Sequence, residues 1–304
     1  MTQEPHSTPS WIAVDWGTSH LRIWPMDDDD RPLCRIDSDK GMGVLAPTAY
    51  EETLLTLLEP YIQGREQLEV ICCGMAGSRQ GWVEAPYLVA PCAPPSVDTA
   101  TRVVTADKRL DVRILSGVMQ HAPADVMRGE ETQIAGVLAA EPEMDGVICL
   151  PGTHTKWVSV RAGQITHFAT FLTGELFQLV SKQSVLRHSV ATEGWDQGAF
   201  EAGCHAAIKS PHGIANALFR LRAEALLSDL DPIIARSRAS GYLLGLEIED
   251  MRRNWQDKTV VIVGENEIAR AYAVALQSQG AETIVADAEE ITLAGLRTAR
   301  APKT

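Results

Sequence analysis

Asp15 and the pair Glu130–Glu131 are the acidic side chains whose sequence surroundings suit them best for chemistry. Asp15 ends the apolar run Ile12-Ala13-Val14 and leads into Trp16-Gly17-Thr18-Ser19. A carboxylate at the end of a buried strand is costly unless it is paired or hydrated. Beside a Gly-Thr-Ser turn its natural partner is Mg²⁺, which keeps several waters and takes one or two carboxylates plus phosphate oxygens. The bland alternative is a turn cap accepting backbone N–H groups. Glu130 and Glu131 follow Gly129 at the head of a helical pattern. Acidic residues there complement the helix dipole, and one of them could also serve as general base for a substrate hydroxyl.

A second segment repeats the first in outline. Residues 11–24 (WIAVDWGTSHLRIW) and 146–160 (GVICLPGTHTKWVSV) each read as strand, hydroxyl-rich Gly-Thr turn and strand. The turns are Gly17-Thr18-Ser19 and Gly152-Thr153-His154-Thr155. Glycine allows positive φ and close backbone approach, and turn N–H and hydroxyl groups can bind phosphate oxygens. One such hairpin is an ordinary turn; two, opening each half of the chain, suggest a phosphate chain clamped between two related domains. Lys156 could touch the phosphate or point to solvent, and His154 is a phosphate contact or a satisfied turn histidine. Thr173 and Gly174 before a helix suit an N-cap or an anion, with Glu175 capping the first turn.

Two further segments are candidates. Residues 74–95 hold Gly74, Gly77 and Gly81 with Arg79, Gln80 and Trp82 between them, too rich in glycine and proline for a regular element. Arginine can grip a substrate carboxylate bidentately and tryptophan can wall off its carbon chain; equally, Trp82 could pack inward beneath a surface loop. Arg128 is a second candidate cation. Strand TVVIV leads into Gly264-Glu265-Asn266 and a helix, but GxGxxG is missing, so the dinucleotide fingerprint fails. What remains is a strand-to-helix turn of the kind that borders nucleotides at a sheet's carboxyl edge, or a purely structural turn.

The elements that must carry these residues alternate. Strands are expected at 12–16, 21–26, 34–38, 68–74 and 111–117, with helices at 51–62 and 129–141. After residue 140 come strands at 146–152, 156–160 and 165–171, helices at 174–188, 198–209, 214–228 and 240–255, then strand, helix, strand and a last helix over 291–300. The halves, 1–140 and 141–304, share a plan of three entry strands followed by alternating helices and strands, an α/β arrangement with mixed sheets. Asp27–Asp30 read as a solvated hairpin tip.

A net charge of −13 and the lack of a Lys/Arg run argue against nucleic acid. No apolar run approaches the ~20 residues that span a bilayer, and the first ten residues do not read as a secretory signal. The six cysteines have no metal or disulfide spacing and read as small buried residues in a reducing cytoplasm. Homo-oligomerisation is left open.

In order along the chain, AVDWGTSHLRIW, GMAGSRQGWVEAPYL, VMRGEETQ, LPGTHTKWV, TGEL and VGENEIARAY resemble the sugar kinases of the actin, hexokinase and glycerol kinase superfamily. The combination RGEETQ with PGTHTKW is similar to the narrower 2-keto-3-deoxy-galactonokinase family. The resemblance implies two actin-like (ribonuclease H-like) domains with ATP and a sugar acid in an interdomain cleft. It implies that Asp15 holds Mg²⁺ through water, and that Gly17, Thr18, Ser19 and Gly152 to Thr155 face phosphates. Gly264, Glu265 and Asn266 would lie at adenosine, although the superfamily's frequent Gly-Gly pair is absent. Gly129-Glu130 matches the superfamily's Gly-Asp, making Glu130 the base, with Arg79, Gln80, Trp82 and Arg128 at the substrate. The implied reaction moves the ATP γ-phosphoryl group to the C6 hydroxyl of 2-keto-3-deoxy-D-galactonate. Rival readings are a non-catalytic sugar-acid- or nucleotide-binding regulator, a kinase for another acid such as 2-keto-3-deoxygluconate, and a phosphohydrolase of the same fold.

Overall fold

The computed structural model describes residues 8–64, 66–264 and 267–301, which fall into two compact units. One runs to Met144 and includes 161–167 and the segment from Ala288; the other holds 145–160 and 168–287.

In the first unit, β1 (Trp11–Trp16), β2 (Leu21–Met26) and β3 (Ile36–Ser38) form an antiparallel meander, followed by α1 (Tyr50–Ile62) and β4 (Leu68–Gly74). Next come β5 (Tyr87–Val89), β6 (Thr101–Arg102), β7 (Leu110–Ile114), β8 (Gly117–His121), β9 (Ala124–Met127) and α2 (Glu130–Ala140). The main sheet has the order β3-β2-β1-β4-β7-β6, with β1, β4 and β7 parallel. Strand β1 is apolar on both faces because both are covered. Ile12, Val14 and Trp16 pack with Leu54 and Leu58 of α1, while Trp11 and Ala13 meet residues of the C-terminal helix.

The second unit opens with β10 (Gly146–Leu150), β11 (Thr155–Arg161) and β12 (Gln164–Phe171). Helices α3 (Thr173–Lys182), α4 (Gln197–Lys209), α5 (Ile214–Leu227), α6 (Pro232–Asp250) and α7 (Arg252–Trp255) follow. Then come β13 (Thr259–Val263), α8 (Glu267–Ser278) and β14 (Glu282–Ala286), and the chain ends in α9 (Ala288–Arg300). This sheet has the order β12-β11-β10-β13-β14. Apart from β6, which pairs antiparallel at the edge of the first sheet, both sheets thus read 3-2-1-4-5 with an antiparallel second strand and parallel fourth and fifth, the ribonuclease H-like plan of actin-like domains. No helix among the described residues is long and apolar enough to cross a membrane.

Several details depart from the sequence reading. The 74–95 stretch contains strand β5, which joins β8 and β9 in a separate three-stranded sheet. A three-residue strand between Pro86 and Pro91 offers no periodicity to read, and the β8–β9 hairpin is interrupted by Pro123. Helix α6 starts eight residues earlier than expected, at Pro232, where the Asp231 carboxylate accepts the N–H groups of Ile233 and Ile234. Asp30 is not merely solvated: its carboxylate accepts from Trp11 Nε1 at 2.6 Å and pairs with Arg300 at 3.2 Å.

A single cut at residue 140 also misses the return of the chain. Helix α9 belongs to the first unit and packs across α2, the helix that begins with Glu130. The crossing is backbone-close: a β-carbon on Gly136 would collide with the Ile291 carbonyl, and one on Gly295 with the Thr132 carbonyl. Trp24 Nε1 donates to Glu289 at 3.0 Å and Arg297 Nε to the Asp30 carbonyl at 2.7 Å, so α9 is also tied to the β1–β2 hairpin. Gly136→Ala and Gly295→Ala are each expected to cost about 1–3 kcal/mol by overpacking, read as a lowered thermal midpoint. Unchanged midpoints in both would mean that the helices can part at no cost.

Candidate active site

The first Gly-Thr turn projects from the β1–β2 hairpin with its N–H groups outward. Gly17 N–H is used internally, on the His20 carbonyl at 2.8 Å, whereas those of Thr18 and Ser19 donate to no described residue. The carbonyls of Gly17 and Thr18 are tied down by the N–H groups of Met42 and Gly43 at 3.0 and 2.8 Å. Gly17 does not adopt positive φ. The glycine that the turn needs is Gly41, where a β-carbon would overlap the Thr18–Ser19 peptide.

Asp15, at the root of this turn, sits directly opposite Arg22 in the strand register, and its Oδ2 accepts from Arg22 Nη1 at 3.0 Å. Burial raises the Asp15 carboxyl; Arg22 pulls it back, and the charge of Glu130 pushes it further up. Glu130 is brought near by two glycines: Gly74 ends β4 with φ of 90° and Gly129 precedes α2 with φ of 107°. A β-carbon on Gly74 would come within 2.6 Å of the Trp16 carbonyl, and one on Gly129 within 3.4 Å of Gly74 Cα. The two adjacent glutamates then diverge. Both oxygens of Glu131 accept the Gly129 N–H at 2.8 Å, and its side chain is fully buried. Burial, and after it the neighbouring Glu130 charge, push the Glu131 carboxyl up to about 8. Glu130 remains half-buried, with Oε2 accepting the Arg128 N–H at 3.1 Å.

The segment predicted to hold the sugar acid is less uniform. Arg79 and Gln80 are exposed, and Arg79 lies 3.5 Å from Glu84. Trp82 packs inward, stacked on Tyr50 at 5.9 Å and edge-on to Trp16 at 6.1 Å. Arg128 is buried beneath this segment, its Nη2 donating to the Ala85 carbonyl at 2.7 Å and its guanidinium 4.3 Å above the Tyr87 ring. Its Nε and Nη1 have no hydrogen-bond partner among the described residues. An arginine with two unused buried donors is costly to keep.

In the second unit the β10–β11 turn repeats the first. The N–H groups of Gly152, Thr153 and His154 donate to no described residue, and Thr153 and His154 are exposed. Again the turn glycine has no positive φ; the required one is Gly174 at the head of α3, where a β-carbon would strike the Gly152 carbonyl. Glu175 N–H donates to the Thr153 carbonyl at 3.0 Å, and the Glu175 carboxylate pairs with His154 Nε2 at 2.6 Å, so Glu175 steadies the turn and its carboxylate does not serve as a helix cap. Thr155 faces inward, its hydroxyl 2.9 Å from Tyr272, and Lys156 is buried rather than in solvent.

A cavity of about 490 Å³ opens beside Gly152, Thr153 and Gly174 and runs between α3, α6 and α8. Phe177, Lys182, Trp195 and Arg236 line it, with the Arg236 guanidinium 4.9 Å above the Phe177 ring. None of these four is marked out by the sequence, because each sits in an amphipathic helix or a loop without a motif. Gly264 ends β13 with its N–H on the Ala286 carbonyl at 2.8 Å. Glu265 and Asn266 lie outside the described residues, while Glu267 and Ile268 after them line the cavity. Arg22 was also missed; the signal was its position opposite Asp15 in the hairpin.

The family model described as 2-keto-3-deoxy-galactonokinase matches residues 15–299. DgoK1 of Rhizobium meliloti (strain 1021), assigned as a 2-dehydro-3-deoxygalactonokinase, is 37% identical over 95% of this chain and 96% of its own. The 2-dehydro-3-deoxygalactonokinase of Escherichia coli (strain K12) is 30% identical over 95% and 97%. A crystal structure of a Sinorhizobium meliloti protein assigned the same activity superposes with a TM-score of 0.89 at 37% identity, covering 95% of this chain and 97% of that one. The chain belongs to the 2-keto-3-deoxy-galactonokinase family.

Proposed function

We propose that this protein is an ATP-dependent kinase that phosphorylates the C6 hydroxyl of 2-keto-3-deoxy-D-galactonate, giving 2-keto-3-deoxy-6-phosphogalactonate and ADP. The observation that carries the reading, beside family membership, is the pair of outward turns. Each keeps consecutive N–H groups unused, in the first unit next to two carboxylates and in the second next to a cavity of nucleoside size. Such N–H clusters are anion sites, and phosphoryl transfer is governed by positioning and electrostatics.

The first unit supplies the acid–base chemistry. Glu130 takes the proton of the C6 hydroxyl as that oxygen forms its bond to the γ-phosphorus and the bond to the ADP oxygen breaks. Glu130 is favoured over Glu131 because Glu131 is fully buried on the Gly129 N–H, whereas Glu130 retains access to solvent. Asp15 would hold Mg²⁺ through water. No group of three or more His, Cys, Asp or Glu among the described residues could hold a metal by itself. One carboxylate beside exposed turn amides fits an ion that brings its remaining ligands as water and nucleotide phosphates. When bound, Mg²⁺ offsets charge on the β- and γ-phosphates. Thr18 and Ser19 in the first unit, and Gly152, Thr153 and His154 in the second, donate N–H groups to phosphate oxygens. The nucleoside occupies the cavity along α3 and α6, with Gly264 at its edge. Arg128, with two unused donors, is the stronger partner for the sugar-acid carboxylate, which would enter beneath the 77–90 segment; Arg79 and Gln80 would guide it from the exposed side. Six free cysteines suit a reducing compartment, and we take the cytoplasm as the site of the reaction.

The direct test is ADP release with ATP, Mg²⁺ and 2-keto-3-deoxy-D-galactonate, beside the gluconate epimer and a reaction without acceptor. Turnover confined to the galactonate acid is expected; equal release without acceptor would sink the kinase reading. Glu130→Gln should lower kcat by about 10²–10⁴-fold, the usual contribution of a general base, with both KM values little changed. Arg128→Met should raise KM for the sugar acid by about 10–100-fold, the equivalent of losing a charge-assisted bond of about 1.5–3 kcal/mol, while KM for ATP holds. Glu131 gives a separate signature. Its carboxyl rises from 4.5 to about 8 on folding, so the folded state holds the extra proton and stability falls as pH climbs between those values. The slope is up to about 1.4 kcal/mol per pH unit. Urea titrations across that range should show the decline in the parent and a flatter profile in Glu131→Gln; identical profiles would refute the buried-carboxyl assignment.

A further inference from the structure

The interior side of the second turn carries a feature that phosphate binding alone does not require. Glu247 lies in the middle of α6, 2% exposed, with no Lys or Arg paired to it among the described residues. Hydrogen-bond donors converge on it instead. Trp157 Nε1 of β11 donates to Oε1 at 2.6 Å, and the Tyr272 hydroxyl of α8 donates at 2.9 and 3.0 Å to the two oxygens. The Thr173 hydroxyl at the start of α3 also bonds it. Tyr272 has one proton and gives it to the carboxylate, so the Thr155 hydroxyl, 2.9 Å away, donates to the Tyr272 oxygen. The proton of Thr155 is therefore spent inside the protein. Thr155 serves the turn as an anchor and not as a phosphate donor.

We infer that Glu247 is a positioning residue for the nucleotide: through Tyr272, Thr155, Trp157 and Thr173 it fixes the second turn and the head of α3 in the geometry that receives the ATP phosphates. The inference rests on reading residues 152–154 as a phosphate turn. Of the elements that Glu247 ties together, α3 and α8 contribute Thr173, Gly174 and Tyr272 to the wall of the cavity, and β11 follows directly on the turn whose Gly152 and Thr153 also line it. An ionised carboxylate is a pure acceptor with two oxygens and matches an all-donor surrounding. A carboxamide of the same shape would turn an NH₂ group against those donors. Burial raises the Glu247 carboxyl, and its bonds to Thr173, Trp157 and Tyr272 pull against that rise. Among the described residues no titratable group other than Tyr272 is bonded to it.

The test uses Glu247→Gln and Tyr272→Phe in the full chain. ATP affinity is measured by calorimetry without acceptor, KM is measured for both substrates, and the thermal midpoint is recorded. Tyr272→Phe keeps the ring in the core and removes only the hydroxyl link to Thr155, so it keeps the test decisive if Glu247→Gln folds poorly. The expected result is that ATP affinity falls about 10-fold or more in both variants, KM for ATP rises in step, and KM for the sugar acid stays within about 2-fold. ATP affinity equal to the parent's in a folded Tyr272→Phe would overturn the inference while leaving the kinase reading intact. A parallel rise of both KM values with a lower midpoint would overturn it too, by reducing the network to a core-stability element. Absence of ATP binding by the parent protein would fall on the nucleotide reading itself, which keeps the two failures apart.

Discussion

The conformation at Gly129 decides which of two adjacent carboxylates is fully buried and which stays half-buried. With φ of 107° and its N–H caught by Glu131, the chain enters α2 with Glu131 directed into the protein and Glu130 left near Asp15. Positive φ of this kind is open to glycine and strained for other residues. The surrounding structure holds that helix start from several sides: Gly74 lets the end of β4 come up against it, and α9 presses on α2 through Gly136 and Gly295. Helix α9 is therefore part of what holds the helix that begins with Glu130.

The two halves obey one rule at their turns. In each, the hairpin turn exposes successive N–H groups, and a glycine from the following segment packs against the back of the turn. Gly41 does so in the first unit and Gly174 in the second. The glycines inside the turns, Gly17 and Gly152, are extended or ordinary in φ, and a β-carbon at Gly152 would meet only van der Waals contacts. What glycine provides is thus close approach of a second strand of backbone, which ties down turn carbonyls and leaves the N–H groups facing out.

This distinction marks where the sequence is readable. Strand, turn and strand are written locally, in the apolar runs around Asp15 and Cys149 and in the hydroxyls that follow, and both hairpins were legible. So were the helix head at Gly129 and the outline of mixed sheets with flanking helices. Gly41 and Gly174 were not recognised as the sterically required residues, because their role depends on a contact made across the fold. The same holds for Arg22, visible only once the register places it opposite Asp15, and for the cavity residues Phe177, Lys182, Trp195 and Arg236, which meet because three helices converge. Short strands between prolines, such as Tyr87–Val89, escape periodicity because they are held by their sheet and not by their own pattern. The return of α9 to the first unit is topological, and no local residue pattern announces it.

Each unit buries a glutamate, and burial raises both carboxyls while hydrogen bonds oppose the rise. Glu131 is buried beside the charge of Glu130, so its neighbour adds to the penalty of burial, and backbone N–H groups, that of Gly129 foremost, oppose it. Glu247 is buried among the Trp157, Tyr272 and Thr173 donors, which oppose that penalty. Desolvation disfavours the charged form of both, and hydrogen bonds to the charged form restore it. The first arrangement favours a carboxyl that gives up its proton reluctantly, next to the half-buried Glu130. The second is a fixed acceptor that gathers two hydroxyls and an indole N–H. A difference in surroundings, and not in residue type, separates the two: a neighbouring charge adds to the cost of burying Glu131, whereas side-chain donors from three elements converge on Glu247.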